Sequence, residues 1–158
     1  MEKTNVMRLL DAKKITYAPY EYSAELTEGV KIAEILGEPC ERVFKTLVTE
    51  GASRAHYVFV IPVAATLDLK AAARAVGEKS VAMLKQKELL PLTGYIHGGC
   101  SPVGMKKQFK TVIDSSAESF ERFFVSAGRC GKQIEVSPAD IVEITGAVFA
   151  EIVQKQNI

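Results

Sequence analysis

The stretch Val43-Phe44-Lys45-Thr46-Leu47-Val48 constrains this chain more than any other. In a strand its side chains alternate, with Val43, Lys45 and Leu47 on one face and Phe44, Thr46 and Val48 on the other. Both faces are mainly apolar, so the strand should be buried, yet a lysine stands in it. A buried ammonium is costly unless it is paired, solvated by a pocket, or neutralised through a lowered pKa. Two readings of Lys45 follow. Either its aliphatic stem carries the amine from a sheet edge to water, or the lysine lines a ligand pocket.

A chain of 158 residues fits one domain, 1–158, around a single core, and a second core would be hard to build at this length. With 47% hydrophobic and 25% charged residues the composition is that of a soluble globular protein and argues against disorder. The longest apolar run, Tyr57 to Ala65, is about half of the ~20 residues a membrane span needs. The start, Met-Glu-Lys-Thr-Asn, has no apolar core of the kind a signal peptide requires. Cys40, Cys100 and Cys130 are an odd number without CxxC spacing, which points to reduced thiols and a cytoplasmic location. A net charge of +1 excludes coating nucleic acid through bulk charge, but leaves room for a small basic mouth that grips a few phosphates.

Along the chain, Asn5 to Lys14 reads as a helix with Val6, Leu9 and Leu10 at helical spacing behind a Thr4 cap. Ile15 to Tyr22 reads as a strand broken by Pro19. Gly29 to Leu36 is a second helix with Val30, Ala33 and Leu36 inward and Gly37 at its end. Val43–Val48 and Tyr57–Pro62 form a hairpin across the polar residues 50–54. Asp68 caps a helix through Val76 that Gly77 closes. Ser80 to Met83 is strand-like and Gln86 to Leu90 a helical turn. Val112–Ile113, Phe123–Ser126 and Ile134–Val136 are extended, and Ser137-Pro138 opens a last helix through Ile144. Short strands interleaved irregularly with helices indicate an α/β chain of the α+β kind, with a mixed, barrel-like sheet or partly closed barrel and flanking helices, rather than a doubly wound parallel fold.

Three regions can carry chemistry. Lys45 is the first. The second is Thr93 to Gly104, whose Gly94, Gly98, Gly99 and Gly104 allow close approach of backbone donors to a ligand. Lys106, Lys107 and Lys110 directly downstream can neutralise phosphates, although a surface turn followed by a solvated strand gives the same pattern. The loop matches no Walker or dinucleotide motif. The third is Val125 to Gly131, where Ser126 supplies a hydroxyl and Arg129 a charge, or where a turn simply joins two strands. His97 and Cys100 form an H-x-x-C pair that no clustered ligands complete into a zinc site. His56 and His97 do not assemble with a serine or cysteine into a recognisable nucleophile. Cys40 and Cys130 are small apolar fillers or surface thiols.

The segment Val43-Phe44-Lys45-Thr46-Leu47-Val48, then Leu67-Asp68-Leu69-Lys70-Ala71-Ala72, Thr93 to Gly104, Val112-Ile113-Asp114 and Val125-Ser126-x-Gly occur in this order. Together they resemble the YbaK/EbsC family of free-standing Cys-tRNA(Pro) deacylases, relatives of the editing domain inserted in bacterial prolyl-tRNA synthetases. The resemblance runs from the first helix to about Ile152. It implies a single α/β domain with a barrel-like mixed sheet around a central pocket and no metal or cofactor. It implies action on the aminoacylated 3′ end of tRNA together with prolyl-tRNA synthetase. The essential lysine of the family falls on Lys45, with Thr46 beside it. Substrate-binding positions fall on Tyr20, on Gly98, Gly99 and Ser101 of the G-G-x-S-P loop, and on Ser126. Lys106, Lys107 and Arg129 are the expected tRNA contacts. Where the family commonly has V-S-G-G-K-R-G, this chain has Val125-Ser126-Ala127-Gly128-Arg129-Cys130-Gly131. It also lacks the aromatic residue that some members place within Ser23–Glu28.

An aminoacyl ester is already activated, so placing its carbonyl against fixed donors supplies much of the acceleration. The expected attack comes from the cysteine thiol of the substrate or from water, which leaves Cys100 dispensable. A sibling activity on Ala-tRNA(Pro) or another small mischarged aminoacyl-tRNA, and a non-catalytic nucleotide- or tRNA-binding module, are the alternatives. Oligomeric state is left open by the sequence.

Overall fold

The computed structural model describes residues 2–155. Five helices are α1 (Asn5–Ala12), α2 (Gly29–Leu36), α3 (Leu69–Val76), α4 (Gln86–Thr93) and α5 (Pro138–Thr145). Eight strands are β1 (Tyr17–Glu21), β2 (Phe44–Gly51), β3 (His56–Pro62), β4 (Val81–Met83), β5 (Lys110–Asp114), β6 (Phe123–Ser126), β7 (Lys132–Val136) and β8 (Val148–Ala150). Short 3-10 turns occupy Cys40–Arg42 and Ser115–Ser119.

Local chemistry sets most boundaries. Thr4 Oγ1 accepts from Met7 N at 3.2 Å, and Asp68 Oδ1 accepts from Lys70 N and Ala71 N, each at 3.1 Å. Gly37 and Gly77 close α2 and α3 in the left-handed conformation. Pro19 sits in β1, an edge strand, where a missing N–H disturbs the ladder least.

Other expectations need correction. Val30 is 44% exposed, and Ile32 with Ala33 forms the buried stripe of α2. α4 runs two residues past Pro91 to Thr93, because Gly94 N donates to Leu90 O at 2.9 Å and closes the helix beyond the proline. Ser137 precedes α5 without a side-chain capping bond, so Pro138 at the first turn is the start signal. β8, three residues with an exposed valine, carried too short a pattern to be read.

The strands form two sheets. One is five-stranded and mixed, in the order β4-β2-β3-β5-β8, with β2 antiparallel to β3 and β4 and with β3, β5 and β8 parallel. The other is antiparallel, in the order β1-β7-β6. A parallel bridge between Val43 and Phe124 joins them, so among the described residues the sheets adjoin at one corner without closing into a barrel. The α+β mixed-sheet architecture with flanking helices is as expected. No helix among the described residues is long and apolar enough to cross a membrane.

β2 and β3 are covered on both faces. Phe44, Val48, Val58 and Val60 pack with Phe123, Val125, Ile134 and Val136 of the second sheet, under Val6, Met7 and Leu10 of α1. On the opposite face Phe59 and Ile61, with Leu47 beside them, meet Ala72, Ala73 and Val76 of α3. The Phe44 and Phe123 rings meet edge to face with centroids 5.0 Å apart. Arg42 ties α2 to the second sheet, pairing with Glu38 at 2.8 Å and with Glu135, donating to Arg122 O at 2.9 Å, and lying over the Phe124 ring. Because Phe44 fills the space between the sheets, Phe44→Ala is expected to cost about 3–5 kcal/mol in urea unfolding.

Candidate functional site

β4 pairs with β2 only at Thr49–Gly51, and the bridge to β6 lies at Val43, just before β2, so among the described residues no strand pairs with the edge between them. A cavity of about 400 Å³ lies along it. Its walls come from the start of α2 with Thr27 and Glu28, from Lys45 and Thr46 of β2, from His97 and Gly98, and from Ser126 and Gln133 of the second sheet. The cavity thus occupies the corner where the two sheets part.

Lys45 is half-buried, lines this cavity, and has no carboxylate within ion-pair distance among the described residues. Burial holds its pKa below the ordinary lysine value. Of the two readings the sequence allowed, the structure places this amine in a cavity wall. Thr46 presents a buried hydroxyl without a hydrogen-bond partner. Ser126, 7% exposed, accepts from Gly128 N at 3.1 Å, which leaves its own O–H to donate elsewhere.

The glycine loop is fixed by close approach. Gly98 has φ +88°, and a Cβ there would lie 2.8 Å from Thr27 Cγ2. A Cβ on Gly99 would lie 2.9 Å from Cys130 N, so the loop packs backbone against the turn after β6. Cys100 also borders the cavity, and burial pushes its thiol pKa up to about 12, far from thiolate character at neutral pH.

Lys45, Thr46, Gly98 and Ser126 are therefore brought together, and the other expected residues lie elsewhere. Tyr20 is 36% exposed on the edge strand, donates to Glu135 Oε1 at 3.2 Å and packs on Phe124. Ser101 is fully buried and accepts from Val103 N at 3.3 Å, a role within its own turn. Gly99 backs the loop rather than lining the cavity. Lys106 and Arg129 flank a second cavity of about 240 Å³ beside the start of α1. There Lys106 Nζ donates to Pro91 O at 3.3 Å and Arg129 pairs with Glu2 at 3.7 Å. Lys107 lies over the Phe109 ring.

Gln133 was missed by sequence reasoning. It is 5% exposed and borders the main cavity. The available signal was a glutamine directly before Ile134, but β7 starts at Lys132, two residues earlier than the apolar pattern suggested. Thr27 and Glu28 were passed over because they precede a helix without a recognisable capping pattern.

Residues 23–144 match the family described as "Aminoacyl-tRNA editing domain". The chain belongs to this family, whose class of activity is aminoacyl-tRNA deacylation. It is 46% identical over 157 residues to the Enterococcus faecalis (strain ATCC 700802 / V583) protein named "Putative Cys-tRNA(Pro)/Cys-tRNA(Cys) deacylase EbsC", covering 98% of this chain and 96% of that one. The resemblance read from the motifs is borne out by this similarity. Bacillus subtilis (strain 168) YwhH, an uncharacterized protein, is 28% identical over 80% of this chain and 78% of its own. Among solved structures, APE2540 superposes with a TM-score of 0.88 at 26% identity, covering 96% of this chain and all of that one. A "putative trans-editing enzyme for prolyl tRNA synthetase" superposes at 0.82 with 22% identity, covering 98% and 100%, and shares the fold.

The buried amine has a measurable cost. Lys45 has a lower pKa folded than unfolded, so the unfolded chain binds more protons between the two values, and stability rises with pH through that window toward 10.5. Lys45→Met is expected to raise Tm at neutral pH, by about 2–4 °C for each kcal/mol relieved, and to flatten this rise in calorimetric scans.

Proposed function

We propose that the protein is a trans-editing enzyme that deacylates mischarged Cys-tRNA(Pro), acting in the cytoplasm beside prolyl-tRNA synthetase, with residues 1–158 as one editing unit. The observation that carries this reading is a cavity that, among the described residues, holds a lysine without an ion-pair partner and several hydroxyl or amide groups but no activated nucleophile. Lys45 and Ser126 line it, while the thiol of Cys100 is held protonated by burial. Such a site suits an ester whose acyl group brings its own nucleophile.

In this reading the terminal adenosine enters the corner between the sheets and the ester carbonyl lies near Lys45. The cysteine thiol of the substrate attacks that carbonyl, an S–C bond forms, the bond to the ribose 3′ oxygen breaks, and the thiol proton ends on that oxygen. The released four-membered thiolactone opens with water to cysteine. The Lys45 ammonium stabilises charge on the carbonyl, phosphate or ribose oxygens, and Ser126 orients the 3′ end. The Gly98 backbone shapes the opposite wall. Lys106, Lys107 and Arg129 serve the tRNA backbone farther out, and Tyr20, Gly99 and Ser101 support the surrounding structure. Support for the substrate comes from the EbsC relative at 46% identity.

The test is deacylation of Cys-tRNA(Pro) and Ala-tRNA(Pro), side by side. Lys45→Ala is expected to lower kcat/KM on Cys-tRNA(Pro) by about 10²–10³-fold, whereas Cys100→Ala stays within about threefold of the wild type. Loss of all turnover in correctly folded Cys100→Ala would sink the substrate-assisted mechanism. Faster turnover of Ala-tRNA(Pro) would reassign the substrate.

A further inference from the structure

The open edge of β2 has a polarity that can be read from its ladder. Val63 N donates to Val43 O and Gly51 N to Ala55 O, each at 2.8 Å, so odd-numbered residues of this strand turn their amide and carbonyl toward β3. Even-numbered residues turn theirs to the opposite edge. There Val48 O accepts from Leu84 N at 3.0 Å, and the bridge at Val43 occupies the other end. Between these two points the N–H and C=O of Thr46 point into the cavity, and neither has a backbone partner among the described residues. Backbone groups in folded proteins are nearly always paired with protein or with water, so this open pair is free to take a ligand.

In the closely bonded pairs of an antiparallel ladder, two opposed residues exchange both N–H···O bonds. An α-aminoacyl ester carries the same two functions on one Cα, a nitrogen that donates and a carbonyl that accepts. We infer that Thr46 binds the aminoacyl group as a one-residue strand: the α-ammonium donates to Thr46 O, and the ester carbonyl accepts from Thr46 N–H. This deepens the deacylase reading and rests on it. The strand edge recognises what all L-aminoacyl groups share and leaves side-chain size to the cavity. It also fixes the handedness of the acyl group and sets a rigid donor on the oxygen where charge develops.

The test uses hydrolysis-resistant adenosines whose 3′ amide nitrogen carries L-cysteinyl, D-cysteinyl or 3-mercaptopropionyl groups, the last lacking the α-amine. In calorimetric titration the L-cysteinyl compound is expected to bind at least about tenfold tighter than either of the others, since a charged hydrogen bond is lost or misdirected in them. Separately, replacing Thr46 by its α-hydroxy counterpart turns the 45–46 amide into an ester, which removes the Thr46 N–H and also weakens the Lys45 carbonyl that accepts within the β2–β3 ladder. The same ester at Leu47 weakens the outward carbonyl of Thr46 and removes a ladder N–H, and serves as the comparison: both esters should lower Tm modestly, while kcat falls about 10²-fold in the Thr46 ester. Equal binding of the three compounds, or an undiminished kcat, overturns the inference. Calorimetry needs no turnover, so the two ideas fail separately. A protein that discriminates among the compounds yet is inert toward every aminoacyl-tRNA overturns the deacylase reading alone. One that turns over without discriminating overturns only the strand pairing.

Discussion

Strand β2 is packed on both faces, by the second sheet on one and by α3 and its neighbours on the other. A strand so placed can meet a ligand only along an edge, and here β4 and β6 each cover one end of that edge and leave the middle open. The gap between two sheets that share a single bridge therefore becomes the cavity. Lys45 and Thr46 both reach it although they point to opposite faces, because the edge belongs to neither face. Double-sided packing also makes the position rigid, which a site working by placement rather than by a powerful nucleophile requires.

The groups around the cavity divide the labour by charge state. Burial works against the charged form of each titratable group, and it does so with opposite results for an amine and a thiol. It eases the lysine toward losing its proton and fixes the proton on Cys100. Under the proposed deacylase reading, a protonated Cys100 leaves the attack on the ester to the sulfur of the substrate. The lysine stands there against the preference of the fold, and the proposed function gives that cost a purpose.

Much of this was legible in the sequence, for identifiable reasons. The hairpin of β2 and β3, the Asp68 cap and the glycine stops of α2 and α3 rest on interactions between near neighbours, which a linear pattern contains. Lys45 was conspicuous because a charge in an apolar alternation breaks a local rule. Gln133 was not, since a glutamine beside a strand is unremarkable until the second sheet brings it against β2. Tyr20 and Ser101 lie off the cavity for the same reason. Their neighbourhoods are set by pairing between β1 and β7 and by a buried turn, and spacing along the chain does not encode where those elements dock. The inward face of α2 holds Ala33 as expected but Ile32 in place of Val30, because both fit an apolar stripe and only the docking of the helix, with Ala33 against Val43, Val63 and Phe124, buries one and exposes the other.

The backing of the glycine loop has a consequence for how such a protein diverges. Gly98 is pressed against Thr27, and Gly99 against the backbone of Arg129 and Cys130, so neither accepts a side chain without moving its neighbours. β2 is equally fixed by its two layers. The wall with most room to vary is the start of α2, where Glu28 and the half-exposed Val30 border the cavity. Paralogues with different acyl preferences should therefore share an unaltered floor and drift apart within these few positions. A library confined to Glu28 and Val30 would sample the selectivity this wall can supply, since Gly29 is pressed against Val63 and Ile32 is buried.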